Sequence, residues 1–89
     1  MPGEAPTGAR DAADPAVDAL FERLREWRRV TATTRGVPPY VIFHDTTLRG
    51  IAQRRPASLE ELAAVSGVGE KKLDAYGAEL IDLIGSDGP

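Results

Sequence analysis

Pro38-Pro39-Tyr40-Val41-Ile42-Phe43-His44-Asp45-Thr46-Thr47-Leu48 is the stretch on which the fold turns. Two successive prolines fix φ and remove two backbone donors, so neither a continuous helix nor a central strand runs through them. An apolar block, Val41-Ile42-Phe43, then crosses where a core would lie, and Asp45 follows as a candidate N-cap for a new helix. The flanking sequence reads as one long helix before this connector and short helices after it. The predicted fold is all-α: a compact bundle of four to five short helices with a buried Pro-Pro connector after the first.

Upstream, residues 1–14 are small, polar and proline-bearing, with almost nothing to bury. They are expected to be disordered, as a linker or a tail foreign to the fold. Asp14-Pro15 is a helix start, Asp as N-cap and Pro at the first helical position. From there Val17, Leu20, Phe21, Leu24 and Trp27 fall on one face at helical spacing. Arg28 lies near the centre of that face, where an arginine pairs with an acid or snorkels. Arg25 and Arg29 share one flank and Arg23 takes the other. The β-branched Thr31, Thr33 and Thr34 weaken the helix, and Gly36 ends it.

Downstream, Leu48, Ile51 and Ala52 form the inner face of a short helix that Pro56 closes. Ser58-Leu59-Glu60-Glu61 matches a capping box, and the helix it opens is expected to bury Leu59, Leu62 and Ala63. Ser66-Gly67-Val68-Gly69 reads as a tight turn in which positive φ costs little. The last helix, roughly residues 70–84, places Leu73, Tyr76, Leu80 and Ile84 on one face. Gly77 sits near its centre, implying close approach of another helix. Residues 86–89 are expected to be a disordered tail, so the domain is placed at 15–85.

Net charge is −3 over the 89 residues, with a sequence pI of about 5.0, but the sum hides a split. Residues 21–55 hold eight arginines against Glu22, Glu26 and Asp45, a local +5. Residues 1–20 carry −3 and residues 56–89 carry −5. A basic middle between acidic flanks is the pattern of a polyanion-binding face, or of ordinary solvated helix faces. With no cysteine and one histidine, disulfides and a cysteine–histidine metal site are excluded. No run approaches the roughly 20 apolar residues of a membrane span, and no apolar signal core opens the chain; a cytoplasmic protein is the default.

Catalytic constellations are missing from the pattern. His44-Asp45 are adjacent without a nucleophile, Ser58 is used as a cap, and the acids of the last helix diverge. No cofactor is called for. Gly67-Val68-Gly69-Glu70-Lys71-Lys72 lacks the spacing of a nucleotide-binding loop. It has two readings: a phosphate held by backbone amides with Lys71 and Lys72 alongside, or a connection where glycine is a steric need.

Leu24-Arg25-Glu26-Trp27-Arg28, Gly36-Val37-Pro38, Tyr40-Val41-Ile42-Phe43, Asp45, Leu48, Ala52, Pro56, Ser58, Glu61-Leu62, Gly67-Val68-Gly69, Lys72-Leu73, Tyr76-Gly77, Leu80 and Ile84 together resemble the HRDC family, the small domain named for helicases and RNase D C-termini. The likeness covers about residues 16–85. It implies a bundle of about five helices and an auxiliary role beside a helicase or nuclease core, most readily a RecQ-type or UvrD-like DNA helicase. Trp27, Ile42, Leu48, Leu73 and Tyr76 are then core positions.

Two functions follow as expectations. In the first, a monomeric, non-enzymatic domain weakly binds single-stranded or branched DNA. Its contacts are Arg25, Arg29, Arg35, Arg49, Arg54 and Arg55, the turn at Gly67, Gly69, Lys71 and Lys72, and Tyr40 stacking on an unpaired base. In the second, the domain is a protein-interaction module, or docks within its parent on the catalytic core of the helicase, and has no DNA binding of its own; alternatively it is the accessory domain of an RNase D-type nuclease.

Overall fold

Asp14 opens the first helix as the Asp-Pro pair predicts: its Oδ1 accepts the Ala16 N–H at 2.9 Å, and Pro15 takes the first helical position. The computed structural model describes residues 14–86; of the tails expected at 1–14 and 86–89, residues 1–13 and 87–89 lie outside the described residues. Helix α1 spans Pro15–Arg35. It stops at Gly36, which adopts φ +72°, with Gly36 N–H bonded to the Thr33 carbonyl and Val37 N–H to that of Ala32. Those two bonds define a Schellman stop.

A four-residue helix, α2 (Pro39–Ile42), follows, then α3 (Asp45–Arg54), α4 (Leu59–Ala63) and α5 (Glu70–Ser86). No strand occurs among the described residues, and no described helix is long and apolar enough to cross a membrane. Helix α1 packs on α2 and α3, and α4 packs on α5. Leu20, Leu24, Ile42, Leu48, Ile51, Leu62 and Leu80 are completely buried where these layers meet. Ser58 caps α4 by accepting the Glu61 N–H, while Glu61 Oε1 reaches back to the Ala57 N–H at 2.8 Å.

Several expectations change in detail. The connector is buried only in its second half: Ile42 and Phe43 are inside, whereas Pro38, Pro39, Tyr40 and Val41 face solvent. Asp45 is not the cap of α3. His44 holds that position without a side-chain bond, and Asp45, the first helical residue, turns its carboxylate to Arg28.

Leu59 is 48% exposed, and Ala63 faces solvent, because five residues of helix present only Leu62 to the core. Trp27 and Leu73 are partly buried. Of the two turn glycines only Gly67 needs a positive φ, +94°. Helix α5 continues to Ser86, two residues past the expected end. The mid-helix Gly77 behaves as expected: a Cβ there would lie 2.8 Å from Leu59 Cδ2 of α4.

Candidate nucleic-acid interface

Three surface concavities adjoin one another through shared lining residues. The first is lined by Glu22, Arg25, Glu26, Arg28, Arg29 and Pro39. It meets the second at Arg28 and Pro39, where the lining continues through Tyr40, His44, Asp45 and Thr46. The second meets the third at Asp45 and Thr46, and the track ends at Phe21, Arg49, Gly50 and Gln53. Thus α1, α2 and α3 bring four of the sequence-predicted residues, Arg25, Arg29, Tyr40 and Arg49, onto one continuous surface.

Tyr40 stands in the middle of the track, 62% exposed, with its ring stacked on that of His44 at a centroid separation of 6.2 Å and 26° between planes. The arginines around it are engaged. Arg25 pairs with Glu22 and Arg29 with Glu26, one turn apart on α1. The Arg29 hydrogen bond holds the Glu26 carboxyl below its ordinary pKa and raises that of the arginine. Arg49 reaches Asp18 at 3.3 Å and lies 4.2 Å over the Phe21 ring. These pairs are exposed or half-exposed, so each is weak enough for a phosphate to compete with the carboxylate.

Arg28 is different. It is buried, its Nη2 lies 2.7 Å from Asp45 Oδ1, and its Nη1 donates to the Phe43 carbonyl at 2.9 Å. This is the acid partner that its place on the apolar face of α1 predicts.

The remaining predicted residues lie off the track. The Arg35 guanidinium sits 5.1 Å over the Tyr76 ring. Arg54 lines a separate hollow with Pro56, Glu61 and Ala64. Arg55 ends α3 in the left-handed region at φ 45°. Gly67 closes onto Thr47, whose Oγ1 would be 2.1 Å from a Cβ at that position, so its glycine is a steric need. Gly69 has open space around it, and Lys71 is exposed. Lys72 turns inward, its Nζ donating to the carbonyls of Val41 and Ile42.

Sequence reasoning missed His44 and Gln53 as lining residues. It also missed the neutralisation of Arg25 and Arg29, although Glu-x-x-Arg recurs at 22–25 and 26–29 and carries that signal. No cluster of three or more histidine, aspartate or glutamate side chains able to hold a metal occurs among the described residues.

A short all-helical domain with a shallow arginine-and-tyrosine track is the class of molecule these features define. The chain belongs to the HRDC domain family, whose model matches residues 17–84. It is 40% identical to the ATP-dependent DNA helicase RecQ of Bacillus subtilis over 86% of this chain and 14% of that protein. The ATP-dependent DNA helicase UvrD2 of Mycobacterium tuberculosis is also 40% identical, over 82% of this chain and 10% of the relative. The chain therefore spans about a seventh or less of these relatives. Among solved structures, the third HRDC domain of D. radiodurans RecQ superposes with a TM-score of 0.76 at 41% identity, covering 79% of this chain and 92% of that one.

Proposed function

We propose that this chain is a non-catalytic accessory domain of an ATP-dependent DNA helicase that weakly engages single-stranded or branched DNA. The observation that carries this reading is the exposed Tyr40–His44 stack, flanked along one track by Arg25 and Arg29 on one side and Arg49 on the other. An aromatic face accepts any unpaired base, and arginines to either side follow the backbone. Because Glu22, Glu26 and Asp18 already answer those arginines, affinity is low, and tethering to a helicase core supplies the effective concentration that makes it useful. The domain works as a monomer, in the cytoplasm with the helicase that carries it.

The test is a titration of labelled single strand, forked duplex and blunt duplex with the 89-residue chain at low and physiological salt. Binding that favours the first two and weakens with salt supports the reading, since phosphate contacts release counterions. No binding at low salt, or binding indifferent to salt, contradicts it.

A second reading, docking on the catalytic core of the parent helicase, is favoured by a different surface. Leu59, Ala78, Ile81 and Gly85 line an open apolar hollow between α4 and α5, with Glu79 and Asp82 beside it. Titration with that core, read at these residues, separates the two.

A further inference from the structure

Lys72 stands at the wrong end of its own helix. As the third residue of α5 it places an ammonium in the first turn, where the helix dipole favours anions. Its Nζ instead serves the C-terminal end of α2, donating to the Val41 and Ile42 carbonyls and lying 5.3 Å from the Phe43 ring centroid. Arg28 Nη1 takes the next carbonyl, that of Phe43. The chain turns extended at Phe43, with φ −155° and ψ 148°, so α2 has no following turn to satisfy these groups. Three successive carbonyls beside the buried Ile42 and Phe43 are thus held by two cations, one from α1 and one from α5. On the other side of Tyr40, Pro38 and Pro39 fix φ. Tyr40 is the residue left between these two restraints, and its ring faces solvent.

We infer that Lys72, together with Arg28, is a positioning residue: it preorganises the Tyr40–His44 platform for an unpaired base and does not itself contact DNA. This deepens the proposed function and rests on it. A platform already fixed before binding gives stacking without the cost of ordering the turn.

Removing the Lys72 donors therefore weakens single-strand binding roughly three- to tenfold. It does so without removing a counterion-releasing contact, so the dependence of log K on log[salt] keeps its slope. Loss of a true phosphate contact lowers that slope by about 0.7 for a single strand.

The experiment compares wild type, Lys72→Met and Lys72→Arg with an oligothymidine at several salt concentrations, alongside NMR of the DNA-free proteins. The expected result is weaker binding by Lys72→Met at unchanged slope, loss of the mutual ring-current shifts of Tyr40 and His44, and recovery of both in Lys72→Arg. A fall in slope of about 0.7 with unmoved ring shifts would make Lys72 a phosphate contact and overturn the inference. So would a Lys72→Met variant indistinguishable from wild type.

Should Lys72→Met fail to fold, the wild type still decides. Its Lys72 ammonium resonances are expected to stay put on adding DNA while the Tyr40 ring shifts, and the reverse refutes the assignment. Absence of wild-type DNA binding overturns the proposed function instead, and leaves the DNA-free spectra to show whether Lys72 fixes the turn.

Discussion

Arg28 and Asp45 meet at 2.7 Å with opposite exposures: the guanidinium side chain is 11% accessible and the carboxylate side chain 68%. The pair joins the buried face of α1 to the first turn of α3. Water solvates whichever carboxylate is left if the arginine goes, but little water reaches the guanidinium if the carboxylate goes. Asp45→Ala, the change at the exposed partner, is therefore expected to be the more damaging, costing about 2 kcal/mol. Arg28→Met keeps the packing and loses chiefly the bond to Phe43, about 1 kcal/mol. Urea unfolding of both variants checks the order; a larger loss in Arg28→Met contradicts it.

Two glycines make opposite demands. At Gly67, alanine meets both a φ of +94° and a Thr47 Oγ1 only 2.1 Å from the new Cβ. Gly67→Ala is expected to lose about 3 kcal/mol from backbone strain and overpacking together. At Gly77 the obstacles are the ends of the Leu59 and Leu73 side chains, at 2.8 and 3.2 Å, and Leu59 is free to swing into solvent. The helix-propensity gain of about 1 kcal/mol offsets that shift, so Gly77→Ala should stay within about 0.5 kcal/mol of wild type. Thermal unfolding reads both.

Leu62 and Leu59 sit three residues apart on α4 with very different burial, 0% and 48% exposed. Leu62→Ala is expected to cost about 3 kcal/mol and Leu59→Ala less than about 1. Equal losses would contradict this orientation of α4, with Leu62 inward and Leu59 outward.

Glu26 is exposed, and the Arg29 hydrogen bond keeps its folded-state pKa below the ordinary 4.5. The sign follows: the pair's contribution is present above the unfolded carboxylate's pKa and is lost as pH falls through the lower folded value. At neutral pH the carboxylate is thus fully charged and competes with DNA for Arg29. Glu26→Gln should raise single-strand affinity about twofold at low salt, an effect that fades as salt screens it. Unchanged or weaker binding would remove Arg29 from the interface.

The fold was legible because its boundaries are local. Asp14-Pro15, Gly36, Ser58 with Glu61, and the apolar spacing of Leu20, Leu24, Leu48, Ile51 and Leu80 each depend on residues within a turn or two. What the sequence left open depends on contacts far along the chain. Local bonding alone assigns Asp45 to cap its own helix; its actual partner, Arg28, lies 17 residues back. Lys72 beside a glycine turn suggests a phosphate ligand, until the fold brings α2 within its reach, some 30 residues upstream. The basic middle third likewise loses much of its free charge to carboxylates. Two of those pairs are local, and Arg49–Asp18 is visible only in three dimensions.

Tyr40→Ala is the substitution closest to the proposed role. The ring is exposed and outside the core, so stability should change by less than about 0.5 kcal/mol. Loss of one stacked base is worth about 1–3 kcal/mol, and single-strand affinity should fall correspondingly, by roughly 5- to 150-fold.

The most direct measurement is an NMR titration of the labelled chain with a short single strand, first at low and then at physiological salt. Amide and ring shifts are expected to trace the track from Arg25 and Arg29 through Tyr40 and His44 to Arg49, and to shrink as salt rises. A titration silent at low salt, or shifts confined to the Leu59–Ile81 hollow, would contradict this expectation.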